Sequence, residues 1–306
     1  MADVVTQERT GRATTLPLLP SAAFVVVWSA GYIAGPYGVR YVGPLTLVAW
    51  RFAIAAVVAS LLALALRRRP RMDRRTVARI ALVGFVMNGF LFGAMYLAFR
   101  AGLSGTLGSL MHSLSPVLTA LFAAVLLGER LSRAQVVGFV VGVVGVLVVL
   151  GPDVSAAGGV VGVGLGVLGT LALSLGTLGQ RWIGHGPDPI WSAALQFAVS
   201  APIVWCVSLP LEGLYPVTQL GPGLAALLYI AIVNSVVGLL LLGVLVRAGG
   251  AGAAASLFFL MPPVTAVMEW LVLHRSLDLR EVVGLVVAVA GVAVATRGVA
   301  RRRTAA

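Results

Sequence analysis

Three ionisable side chains, Arg51, His112 and Glu269, stand inside apolar stretches long enough to cross a membrane. A charged residue at the centre of a membrane helix costs about 2.5–3.5 kcal/mol, so it normally faces a cavity or a partner. The sequence gives Arg51 and Glu269 a similar depth, and we therefore expect them to lie close together. Such a pair would serve as an outer gate or a proton-coupling group. The alternatives are a structural ion pair, or an Arg51 that extends alone to the membrane surface.

His112 belongs to a polar series with Ser109, Pro116 and Thr119, whose spacing of three or four puts them on one helix face. Imidazole titrates near neutrality, so His112 would bind substrate or a proton, or else be hydrogen-bonded to a neighbouring helix. Proline removes a backbone donor, which favours a helix bend beside a polar cavity. The equivalent helix of the second half carries Pro262, Thr265 and Glu269 on one face and Ser256, Phe259 and Pro263 on an adjoining one.

Aromatic and amide side chains extend this candidate pathway. Trp28 and Tyr32 are one helical turn apart and would line a cavity or simply pack. Asn88 and Asn234 would bind substrate or join helices by hydrogen bonds. The candidate substrate or pathway residues are Trp28, Tyr32, Asn88, Ser109, His112, Asn234, Phe259 and Thr265, with Arg51 and Glu269 for gating or proton coupling and Pro116, Pro262 and Pro263 for bends.

The composition excludes several classes of protein. The chain is 59% hydrophobic and only 10% charged, with a mean hydropathy of +1.02, so it cannot build a water-exposed surface. Its basic residues are all arginines, mostly in short clusters between apolar stretches, which indicates membrane topology and not nucleic-acid binding. One cysteine leaves no thiolate metal cluster. Without lysine there is no ATP-binding P-loop, and the three histidines are too dispersed for one active site. We expect no cofactor or metal, and no enzymatic activity.

Ten apolar stretches are each near the roughly 20 residues that cross a bilayer. Seventeen arginines fall on the side of the N-terminus, whereas the loops on the other side hold four. This bias predicts that both termini are cytoplasmic, with tails at 1–20 and 298–306. The four arginines of the predicted outer loops are Arg40, Arg100, Arg275 and Arg280.

The two halves of the chain resemble each other. The phrase "RAGLSGTLGSLMHSLSPV" at 100–117 returns as "RAGGAGAAASLFFLMPPV" at 247–264, and Asn88 corresponds to Asn234. Two repeats, 21–151 and 159–297, would then hold five helices each. An odd number of helices inverts the second repeat in the membrane, as in secondary transporters whose substrate site lies between the halves.

Two stretches resemble the EamA-type permeases of the drug/metabolite transporter superfamily. They are "WSAGYIAGPYGVRYVGPLTLVAWRFAIAA" at 28–56 and "SPVLTALFAAVLLGERLSRAQVVGFVVGVVGVLVVL" at 115–150. The second half departs from the family, because "VLHRSLD" at 272–278 replaces a frequent Gly-Glu and Glu269 stands inside a helix. The resemblance implies a ten-helix bundle around a central cavity that moves small metabolites by alternating access.

The sequence therefore predicts an all-α integral membrane protein of the bacterial inner membrane. We expect a secondary transporter for a small polar, amino acid-like metabolite or a drug, with export favoured. A channel or a structural membrane subunit is the alternative, and a membrane enzyme is less favoured. Its partners would be the small-molecule substrate and the lipid bilayer. The small-residue patterns "GFVVG" at 138–142 and "GLVVA" at 284–288 would serve helix packing or a homodimer contact.

Overall fold

The apolar stretches are helices in the computed structural model, which describes residues 16–184, 186–214 and 216–303. Most of the expected tail 1–20, and residues 304–306 of the other tail, lie outside these ranges. The helices are α1 (Leu18–Gly38), α2 (Pro44–Ala65), α3 (Arg74–Ala101), α4 (Gly105–Leu127), α5 (Arg133–Leu150), α6 (Gly159–Ile183), α7 (Pro189–Glu212), α8 (220–256), α9 (Met261–Leu273) and α10 (Leu279–Arg303).

Helix length and composition confirm an all-helical integral membrane protein. Eight helical stretches are long and apolar enough to cross a membrane, namely α1 to α7 and the Leu220–Ala248 part of α8, counted over the described residues only. The apolar stretch Leu257–Leu273, which includes α9, is shorter. Within the same residues, β pairing is limited to an isolated bridge between Val42 and Val217. Ten crossings, and their direction, remain predictions.

Local chemistry explains where several helices begin and end. The side chains of Ser104, Ser132 and Asp188 cap α4, α5 and α7 by accepting hydrogen bonds from backbone N–H groups of the first turn. These N–H groups have no partner within the helix, so each cap stabilises a helix start. Gly102 ends α3 with φ at 118°, a left-handed conformation that suits glycine.

The prolines of α4 and α9 coincide with helix irregularities. The helical hydrogen-bonding pattern of α4 is interrupted at Leu114, shortly before Pro116. Pro262 lies in the first turn of α9, directly after a 3-10 turn at Leu257–Leu260, and Pro263 follows it. The backbone of α8 stays helical to Ser256, just before that 3-10 turn. The alanine-rich segment there favours helix.

Two π-helical turns interrupt the long helices α3 and α8. They lie at Phe85–Phe90 and Tyr229–Val237. Asn88 stands in the first turn and Asn234 in the second, so the two equivalent asparagines share an unusual backbone environment. Such turns are rare and are found frequently at functional sites. No sequence pattern predicted them.

Helices α5 and α10 pack against each other through their glycines. A Cβ built on Gly145 would lie 2.3 Å from the backbone nitrogen of Ala288, and one on Gly138 would lie 2.4 Å from the carbonyl oxygen of Gly291. Only glycine permits so close an approach of two backbones. The small-residue patterns are therefore used inside the chain, and they give no argument for the homodimer.

Candidate functional site

Arg51 of α2 is buried at the contact of three helices, with 4% of its surface exposed. Its Nε donates to Ser235 Oγ at 2.9 Å, and its Nη2 donates to Asn234 Oδ1 at 2.9 Å. Its Nη1 donates to the hydroxyl of Tyr96 on α3 at 3.1 Å. The guanidinium also lies 4.0 Å from the ring centroid of Phe92, a favourable cation–π geometry. Arg51 thus connects α2 with α3 and with the π-helical turn of α8.

The expected pairing of Arg51 with Glu269 is wrong. The hydrogen bonds of the Arg51 guanidinium go to neutral groups, and no ion pair within the described part of the chain includes it. Glu269 is paired instead with Arg275, at 3.9 Å. A similar depth along the membrane does not fix the direction in which two helices point their side chains, and that direction decides the partners.

Glu269 holds the first turn of α4. One carboxylate oxygen accepts the backbone N–H of Gly105 at 2.8 Å, and the other accepts the hydroxyl of Thr106 at 2.5 Å. The positive end of the helix dipole favours a negative charge there. A Cβ on Gly105 would lie only 2.0 Å from the carbonyl oxygen of Tyr32, so α1, α4 and α9 meet at this point. Glu269 therefore has a clear structural role.

His112 of α4 and Tyr32 of α1 form a buried polar pair. The Tyr32 hydroxyl and His112 Nδ1 are 2.8 Å apart. The other ring nitrogen, His112 Nε2, and the hydroxyl oxygen of Thr265 on α9 are both buried without a hydrogen-bond partner, as far as the chain is described. Most buried polar atoms in proteins are hydrogen-bonded, so an unpartnered one indicates a place for water or a ligand. Ser109, on the same helix as His112, donates to the carbonyl of Thr106 at 2.8 Å.

The remaining candidates are placed in different surroundings. Trp28 packs on Phe24 and Phe258, each with ring centroids 5.3 Å away, so Phe258 and not Phe259 meets it. Asn234 joins α8 to α1 by donating from Nδ2 to the Val27 carbonyl at 3.1 Å, in addition to its contact with Arg51. Asn88 is buried in α3. Among the predicted residues, the structure therefore brings Arg51 together with Asn234, and Tyr32 together with His112.

A cavity of about 430 Å³ opens at the end of the bundle where α1 terminates, which we call the outer end. It lies between the end of α1, the α3–α4 turn and the α9–α10 turn. Glu269 lines it, and so do three arginines that the sequence reasoning did not connect with a site, Arg40, Arg100 and Arg275.

Glu212 is a second carboxylate that holds a helix start, and sequence reasoning missed it. At the end of α7, it accepts the backbone N–H groups of Leu45 at 2.6 Å and of Thr46 at 2.8 Å. It also accepts the hydroxyl of Ser208 at 3.1 Å. Glu212 therefore holds the start of α2 as Glu269 holds the start of α4. Glu212 stands beside Gly213 at a predicted helix end, so the local sequence pattern indicates only an ordinary loop there.

A protein-family model and several known proteins match this chain over most of its length. The model of the EamA-like transporter family matches residues 18–151 and, separately, residues 160–297. The uncharacterized transporter YvbV of Bacillus subtilis (strain 168) is 27% identical, over 89% of this chain and 88% of its own. A probable amino-acid metabolite efflux pump of Salmonella typhimurium is also 27% identical, over 92% and 95% of the two chains.

Two further proteins are similar over most of their length. A probable terminal-alkyne amino-acid exporter of Streptantibioticus cattleyicolor is 25% identical, over 91% of this chain and 93% of its own. A solved crystal structure superposes with a TM-score of 0.65 and 19% identity, over 93% of this chain and 97% of the other. At that identity the superposition establishes a shared fold.

Proposed function

Because the chain belongs to the EamA-like transporter family, we propose that it is a secondary transporter that exports a small amino acid-like metabolite by alternating access. The transporter class rests on the family. The direction and the kind of substrate are supported by the names of its relatives, which include efflux pumps for amino-acid metabolites. A bacterial plasma membrane is the location that the bacterial relatives support.

We propose two inverted five-helix repeats with both termini in the cytoplasm. The two separate matches of the family model support the duplication. The paired π-helical turns give further support, because each holds the equivalent asparagine of its half. The excess of arginines on one side supports the orientation.

The proposed substrate site lies between α1, α4 and α9. The observation that carries this proposal is the pair of unpartnered buried atoms, His112 Nε2 and Thr265 Oγ1. His112 stands on α4, whose N-cap residue Ser104 lines the outer cavity. Thr265 stands on α9, whose Glu269 and Leu273 line the same cavity. A ligand with polar groups would satisfy both atoms. The hydroxyl of Tyr32, already bonded to His112, would orient the imidazole.

An outer gate would separate this site from the outer cavity. The close contact of Gly105 with the Tyr32 backbone, together with the carboxylate of Glu269, supports a gate at that level. Moving α4 away from α1 would break the two hydrogen bonds of Glu269 at the start of α4. In this proposal Glu269 acts as a gate residue. Proton coupling is the lesser role, because both carboxylate oxygens already accept hydrogen bonds from the start of α4.

Efflux from proteoliposomes tests the proposed function. Vesicles loaded with one radiolabelled amino acid each, covering small, branched and aromatic side chains, should release at least one of them with saturable kinetics. The variant His112→Phe, which places the equivalent residue of the second half at this position, should fold normally and transport at least about tenfold more slowly, as expected when one binding contact is lost. Release that rises linearly with concentration would indicate a channel. Unchanged kinetics of the variant would remove His112 from the site.

A further inference from the structure

The outer arginines are gathered around one opening. Only four arginines fall in the predicted outer loops, and the fold brings Arg40, Arg100 and Arg275 to the same cavity of about 430 Å³. The fourth, Arg280, lies in an adjoining space of about 40 Å³. These arginines are far apart in sequence, so their convergence is a property of the fold. Outer loops of membrane proteins are otherwise poor in arginine, which makes the cluster unusual.

The cavity carries an excess of positive charge. Among its described lining residues, the three arginines face one carboxylate, Glu269, which is 2% exposed and bound to the start of α4. Arg275 bridges Glu269 at 3.9 Å and Glu281 at 3.2 Å. Arg100 donates from Nη1 to the carbonyl of Val39 at 2.8 Å, a contact that holds its guanidinium at the cavity wall. Its guanidinium has five N–H groups, so donors remain for a ligand.

From this arrangement we infer that the cavity binds the carboxylate group of the exported compound as it leaves, an inference that rests on the proposed function. Guanidinium groups bind carboxylates through paired, charge-assisted hydrogen bonds, which makes arginine the residue suited to this group. A volume of about 430 Å³ lies within the range of small-molecule sites. Arg40 and Arg100 supply positive charge that is not paired with a carboxylate among the residues that the structure describes. Arg275 holds the Glu269 side of the opening.

This exit site and the buried site would act in sequence. A compound released from His112 and Thr265 would next meet the arginines on the outer side of the Gly105–Tyr32 contact. Because the cavity is open to water, binding there would be weak, so the compound can leave. The chemical requirement is a carboxylate, whatever the side chain of the compound.

Cysteine protection in purified protein tests the inference without relying on transport. Leu273, which lines the cavity, is changed to cysteine in a Cys206→Ser background, and its alkylation by N-ethylmaleimide is timed. L-leucine and its deaminated analogue 4-methylpentanoate should both slow alkylation, whereas L-leucinamide, which lacks the carboxylate, should not. Arg40→Gln or Arg100→Gln should weaken the protection about tenfold, the loss of one charge-assisted contact.

The control is Arg280→Gln, which removes an outer arginine from the adjoining space and should leave the protection intact. Equal protection by the amide and the acid would overturn the inference. An equal effect of Arg280→Gln and Arg100→Gln would also overturn it, because it would show a general electrostatic effect of the outer arginines and not a binding site. An absence of protection by the acids would also overturn it. Saturable efflux by the same preparation would show that the proposed function survives that failure.

Discussion

Replacing Arg51 tests whether its fixed hydrogen-bonding geometry, and not its charge, stabilises the bundle. The guanidinium makes three hydrogen bonds from three different nitrogens, to α3 and α8, and lies over the ring of Phe92. Glutamine reaches one acceptor at most but removes the buried charge. Lysine also reaches about one acceptor, and it keeps the charge.

The magnitudes predict an unusual order of stability. Each hydrogen bond from a charged donor contributes about 1.5–3 kcal/mol, and the buried charge costs about 2.5–3.5 kcal/mol. We therefore expect Arg51→Gln to lower the free energy of unfolding by about 2–4 kcal/mol, and Arg51→Lys by roughly 2 kcal/mol more, because only the latter still bears the cost of burial. Lysine, the chemically conservative replacement, should therefore destabilise the protein more than glutamine does.

Thermal unfolding in detergent, followed by tryptophan fluorescence, measures this order. At about 2–4 °C per kcal/mol for a chain of this size, Arg51→Gln should shift the melting temperature by roughly 5–15 °C. Arg71→Gln, at an exposed position between α2 and α3, is the matched control and should have no effect. A lysine variant as stable as the natural protein, with an unstable glutamine variant, would refute the reasoning and show that the charge itself matters.

Three other changes follow from the contacts described above. Glu269→Gln should lower the free energy of unfolding by about 1–2 kcal/mol. In combination with Arg51→Gln the two losses should add within about 0.5 kcal/mol, since the two residues share no contact. Thermal melting of the single and double variants checks both expectations. Gly145→Ala should destabilise by about 2 kcal/mol because its Cβ meets the backbone of α10, whereas Gly164→Ala, which enters open space in α6, should be neutral or stabilising in the same melts. Glu212→Ala should cost about 2–3 kcal/mol by freeing the start of α2, and faster hydrogen exchange confined to that first turn would identify the cause.

The general architecture could be predicted because it depends on composition along the chain. Apolar stretches of about 20 residues locate the helices, and prolines and glycines mark several of their ends. The correspondence of Asn88 with Asn234 came from comparing the two halves of the sequence, and the structure places each asparagine in a π-helical turn.

The contacts of the site depend on how the helices are rotated about their axes, which the sequence does not specify. The polar spacing on α4 placed Ser109 and His112 on one face, but it could not show that Tyr32 would meet His112 Nδ1. Nor could it show that Glu269 would bind the start of α4, because that contact requires α9 and α4 to meet at one depth and angle.

Counterflow in proteoliposomes tests the central claim, that this chain is a carrier, most directly. Vesicles containing the purified protein are loaded with a high concentration of an unlabelled substrate found in the efflux screen, and a trace of the radiolabelled compound is added outside. A site that alternates between the two sides predicts a transient accumulation of label inside, above its final equilibrium value, and His112→Phe should reduce that peak. Label that rises only to equilibrium, with no overshoot, would contradict the account and indicate a channel.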